Sequence, residues 1–65
     1  MEVSIVYAIF YYKDFNGKWV IKVQDTKTYK YIETKEYDIP SSMIEEVVKS
    51  FIENYDDSYA CEVKY

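Results

Sequence analysis

The chain has 65 residues, 49% of them apolar and 20% aromatic, with a net charge of −4. That length predicts one compact domain over residues 1–65 with a small core, and that composition excludes a disordered or fibrous chain. There is no His, no Arg and no Leu, and only one Cys, which removes ordinary zinc sites, His-based acid–base catalysis and an internal disulfide.

The lone Cys61 points to a reducing compartment, so a cytoplasmic location is expected, the host cytoplasm if the protein is viral. Glu2 stands where a secretory leader wants positive charge. The longest apolar stretch, Val3 to Tyr12, is broken by Ser4 and falls well short of the ~18 residues a spanning helix needs. No membrane association is expected.

In chain order, Val3 to Tyr12 is β-branched or aromatic on both alternating sets, the pattern of a central strand with both faces covered. Asn16-Gly17 then signals a two-residue hairpin turn into a second strand, Lys18 to Gln24. Such a turn pairs Asp14 with Trp19, Tyr12 with Ile21 and Phe10 with Val23. This register predicts that Trp19, Ile21 and Val23 share the core face with Val6, Ala8, Phe10 and Tyr12.

A turn at Asp25-Thr26-Lys27 leads to a third strand, Thr28 to Tyr37. Its Lys30, Glu33, Lys35 and Glu36 mark a wet edge blunted against aggregation. Whether Tyr29 and Tyr31 face the core depends on a loop of two or three residues, because a slip of one inverts every side chain. From Ser42 the period changes. Ile44, Val47, Val48, Phe51, Ile52 and Tyr55 form the stripe of a one-sided helix, with Pro40 ahead of it, a capping box at Ser42-Met43-Ile44-Glu45, and a stop across Asn54 to Asp57. Tyr59, Cys61, Val63 and Tyr65 then alternate with Ala60, Glu62 and Lys64 as a half-buried last strand, on which Cys61 reads as a plain buried thiol.

The expected fold is α+β: a four-stranded, mainly antiparallel sheet in the order β-β-β-α-β, spatial order 4-1-2-3, with one amphipathic helix packed on one face. The missing residue types leave no catalytic constellation, and no cofactor or metal is expected. Asp14-Phe15-Asn16-Gly17 echoes the start of a calcium loop, but the later oxygen ligands are absent from the right offsets and turn chemistry accounts for it.

Two surfaces remain as candidates. The first is acidic. Residues 1–31 carry five Lys against Glu2, Asp14 and Asp25, for +2, whereas residues 32–65 carry nine acids against Lys35, Lys49 and Lys64, for −6. Within that half Asp38, Glu45, Glu46, Glu53, Asp56 and Asp57 fall along and beyond the exposed side of the helix. The plain reading is a solvated helix face. The sharper one is a nucleic-acid mimic that occupies the basic surface of a larger protein or nucleoprotein complex, a field that disfavours direct nucleic-acid binding.

The second is the sheet face opposite the helix, assigned by the two-residue turn to Ile5, Tyr7, Ile9, Tyr11 and Val20 beside Lys18 and Lys22. Those side chains predict a homodimer or, alternatively, a single-stranded nucleic-acid binder that stacks bases on Tyr.

The segment KDFNGKWVIKVQD, Lys13 to Asp25, followed by a strand and an amphipathic helix, resembles the hairpin of HicB-type antitoxins. That resemblance implies binding to a small toxin partner. The family's Pro-Gly-Cys turn and its Gly-Asp before the helix are not present here. A short acidic single domain rich in Tyr, Lys and Ile is also similar to phage anti-CRISPR inhibitors, which implies a non-enzymatic inhibitor of a larger complex.

Overall fold

The computed structural model describes residues 6–64. Strand β1 (Tyr7–Lys13) and strand β2 (Trp19–Asp25) form an antiparallel hairpin, and β3 (Lys30–Tyr37) adds to the outer side of β2. A short 3-10 turn, Ser41–Met43, leads into helix α1 (Ile44–Asn54), and β4 (Ser58–Glu62) returns parallel to β1. The sheet order is β3-β2-β1-β4, an α+β fold with the expected strand order. The first three residues of the predicted β1, Val3, Ser4 and Ile5, lie outside the described residues.

The register of the first hairpin differs from expectation by one residue, and the consequence is large. Asn16 does not take the positive φ that a two-residue turn demands of both central positions; only Gly17 does, at φ 80°. The Gly17 amide donates to the Asp14 carbonyl at 3.1 Å and the Asp14 amide to the Lys18 carbonyl at 2.8 Å, which closes a three-residue loop, Phe15 to Gly17. The Asp14 carboxylate stabilises this form by accepting from the amides of Asn16 and Lys18, each at 2.9 Å. Pairing therefore sets Lys13 against Trp19, Tyr11 against Ile21 and Ile9 against Val23.

A one-residue slip moves every β1 side chain to the other face. The core consists of Ile9, Trp19, Ile21, Val23, Ile44, Val48 and Phe51, with Tyr7, Tyr11, Tyr37, Ile39, Val47, Tyr55 and Ala60 packed around it. The helix thus covers Tyr7, Ile9 and Tyr11, and leaves Ala8, Phe10 and Tyr12 on the opposite face. Of the predicted helical stripe, Ile44, Val48 and Phe51 are buried, whereas Ile52 is 37% exposed.

The second hairpin resolves the ambiguity at Tyr29 and Tyr31. Four residues, Thr26 to Tyr29, connect Asp25 to Lys30, with the Tyr29 amide donating to the Asp25 carbonyl at 2.7 Å and Tyr29 itself left-handed at φ 62°. A bulge follows: Val23 pairs with Glu33 and Gln24 with Tyr31, so Ile32 is the extra residue. Tyr31 lands on the face away from the helix, and its ring meets Phe10 edge-on at 6.5 Å.

The predicted capping box does not form. Ser42 lies inside the 3-10 turn rather than in the extended conformation of a cap, Met43 occupies the cap position, and no side chain bonds to the freed amides. At the other end the Ser58 hydroxyl donates to the carbonyls of Tyr55 at 2.8 Å and Ile52 at 3.4 Å. Asp57, left-handed at φ 53°, turns the chain into β4.

Candidate functional site

The six acidic residues are exposed, and the structure divides them. On an α-helix successive residues step about 100°, so with Ile44, Val48 and Phe51 turned to the sheet, Glu46 and Glu53 stand near the centre of the outer side with Lys49 between them. Lys49 is three residues from Glu46 and four from both Glu45 and Glu53, close enough to offset part of their field. Asp38 precedes the helix, whereas Asp56 and Asp57 follow it. Glu45 and Glu46 stand in the first turn, where a helix favours negative charge; Glu53, Asp56 and Asp57 cluster at the C-terminal end, where it disfavours it, and the last turn holds no basic residue. Among the described residues the only ion pair is Lys35 Nζ to Glu33 Oε2 at 3.7 Å. None of the six acidic side chains takes part in it.

The expected dimer or binding face needs correction. Tyr7, Ile9 and Tyr11 belong to the helix-covered side, Ile9 with no exposure at all. Ile5 lies outside the described residues, and Lys18 is exposed between the three-residue loop and the start of β2. Only Val20 and Lys22 of that set lie on the open face, and Val20 is buried there by its neighbours. The aromatics that do occupy it are Phe10, Tyr12, Tyr31 and Tyr59. The Lys22 ammonium lies 5.8 Å from the Tyr12 ring centre and 5.4 Å from that of Tyr31, held between two ring faces.

The last strand is turned over as well. Because β4 runs parallel to β1 with Ala8 beside Tyr59, Ile9 beside Ala60 and Phe10 beside Cys61, it is Ala60 that faces the core. Tyr59 and Cys61 are exposed on the open face, so Cys61 is not the buried thiol the alternation predicts.

A cleft of about 400 Å³ opens between α1 and β3, lined by Glu33, Lys35, Tyr37, Ser50, Phe51, Asn54 and Tyr55. Three of its polar groups are joined: the Tyr55 hydroxyl donates to Glu33 Oε1 at 2.9 Å, and the Lys35 ammonium pairs with the same carboxylate while lying 6.0 Å from the Phe51 ring centre. Burial, then the bond to Glu33 and its charge, push the Tyr55 hydroxyl above the usual tyrosine range. Burial, then the charges of Glu62, Glu45 and Cys61, raise Tyr11 likewise. Among the described residues no three His, Cys, Asp or Glu side chains approach closely enough to hold a metal ion, and no helix is long and apolar enough to cross a membrane.

Two features escape the sequence pattern. Phe15 is fully exposed at the tip of the first hairpin, although a large apolar side chain in a turn is itself a legible signal. Trp19 is buried with its indole Nε1 unpartnered among the described residues, which periodicity cannot show.

No known protein family, curated protein or solved structure matches the chain.

Proposed function

We propose that the protein is a small non-enzymatic binding module that inhibits or modulates a larger partner by laying its acidic side against a basic, nucleic-acid-binding surface. The observation that carries this reading is the group Glu53, Asp56 and Asp57 at the C-terminal end of α1, with no cation in the last turn. Negative charge at that end opposes the helix dipole; turn chemistry accounts for Asp57, which is left-handed, but not for the charge of Glu53, which supports a role in binding. The same side presents exposed carboxylates to a partner's basic surface, in the manner of a viral or phage anti-defence inhibitor acting in the cytoplasm of its host.

The competing reading, a single-stranded nucleic-acid binder, draws on the aromatic sheet face. It is disfavoured by charge: the strand residues of that face include one cation, Lys22, already held between two rings, and one anion, Glu36.

The test is capture of partners by the immobilised protein at low and high salt, with the triple variant Glu45→Lys, Glu46→Lys, Glu53→Lys alongside. The reading expects basic nucleic-acid-binding proteins that release with salt and are not retained by the variant. Equal capture by a variant with an unchanged circular dichroism spectrum would sink it.

A further inference from the structure

Helix α1 occupies one face of the sheet, and no described element lies across the other. We propose that this open face packs against the same face of a second copy of the chain, about a two-fold axis running along the strands between β1 and β2. The inference is independent of the acidic-side reading, because it uses the opposite side of the molecule.

The ladders define what would meet. One row across the sheet reads Tyr31, Gln24, Ala8, Tyr59, and the next reads Thr34, Lys22, Phe10, Cys61. In the first row two exposed rings stand at the sheet edges with fully buried Ala8 between them. A two-fold axis between the central strands exchanges β3 with β4 and β2 with β1. It therefore sets Tyr31 of each copy against Tyr59 of the other, and Lys22 against Phe10 rather than against its own mate. Such self-complementarity is what an isologous pair requires.

Area and charge both favour a second copy as the occupant. Four strands at about 4.8 Å spacing and about seven residues at ~3.3 Å rise give a flat footprint of roughly 440 Å² per copy. Doubled and corrugated by side chains, that reaches the ~1,000 Å² that marks a specific interface at its lower limit. The chain as a whole carries −4, which would keep two copies apart, but the open-face strand residues balance Lys22 against Glu36. The excess charge lies on the helix side, away from the contact.

Sedimentation of the intact chain should show a dimer at micromolar concentration, and Tyr31→Asp and Tyr59→Asp should each give a folded monomer by circular dichroism. The geometry adds a positive test. Thr34 and Cys61 lie at opposite edges of one sheet, too far apart to be bridged within a copy, but face each other across the proposed axis. Thr34→Cys should be cross-linked into a covalent dimer by a short bifunctional thiol reagent that leaves the wild type uncoupled. A wild-type monomer at every concentration overturns the proposal, as does a dimer that survives both Asp variants, or a dimeric Thr34→Cys chain that resists cross-linking.

Discussion

The Tyr55 hydroxyl and the Glu33 carboxylate, 2.9 Å apart, join the end of α1 to edge strand β3. Strand β3 is otherwise held through its ladder with β2, and this bond acts together with the Tyr37–Phe51 ring contact at 6.3 Å and the Lys35 ammonium 6.0 Å from the Phe51 ring centre to hold the helix end against it. Tyr55→Phe keeps the ring against Tyr7, 5.0 Å away between centres, and deletes only the donor. The expected loss is about 1 kcal/mol in urea unfolding followed by Trp19 fluorescence. An unchanged midpoint would show that the bond contributes nothing.

The same contact predicts a pH dependence. Tyr55 and Tyr11 both hold their protons more tightly when folded than unfolded. Their contribution is fully present below the unfolded tyrosine value of about 10 and is lost as the pH rises from there through the folded values. Stability should therefore fall in alkaline solution. In the native chain, Tyr55→Phe and Tyr11→Phe should each remove one late-ionising hydroxyl from the tyrosinate absorbance titration, and neither doing so would contradict the assignment.

Gly17 is the pivot of the first hairpin. A methyl group added there has room, since the nearest side-chain atom, Lys13 Cε, is 4.0 Å away, so the cost of Gly17→Ala is conformational. Holding Ala at φ 80° should destabilise by about 1 kcal/mol, and Gly17→Asn by less, because Asn tolerates the left-handed region. Chemical denaturation of the two variants checks the order, and Ala equal to wild type would mean that the turn relaxes.

Replacing Asp56 by Lys puts a cation where the helix dipole favours one. The fold should gain about 0.3–1 kcal/mol while capture of a basic partner weakens. Opposite signs in these two measurements would identify a charge kept for binding. A variant that binds as before would detach Asp56 from the site.

Phe51 touches the core, Tyr37 and Lys35. Phe51→Ala should cost about 3–5 kcal/mol, against a total of roughly 3–10 kcal/mol for a domain this small, and leave the chain largely unfolded by circular dichroism. Phe15→Ser, at the exposed hairpin tip, should change stability by less than about 0.5 kcal/mol. A large effect there would mean that Phe15 packs against something in solution.

The order of elements, the helix over Ile44 to Asn54 and the place of β1 at the centre of the sheet follow from local physics. Period 3.6 against period 2, a turn at Asn16-Gly17 and a strand apolar on both sides are properties of neighbouring residues. Which side of that strand the helix covers is not. It turns on whether the loop has two residues or three, and Asp14 decides this by accepting two backbone amides, a choice that costs little in energy but inverts the whole face. The bulge at Ile32 placed Tyr31 in the same way, and the parallel pairing of β4 exposed Tyr59 and Cys61 while turning Ala60 inward. The acidic residues could be named from sequence because an amphipathic helix displays its polar side wherever it packs. The aromatic face around Lys22 could not, because membership in a sheet face is set by register, and register is decided only when the strands meet.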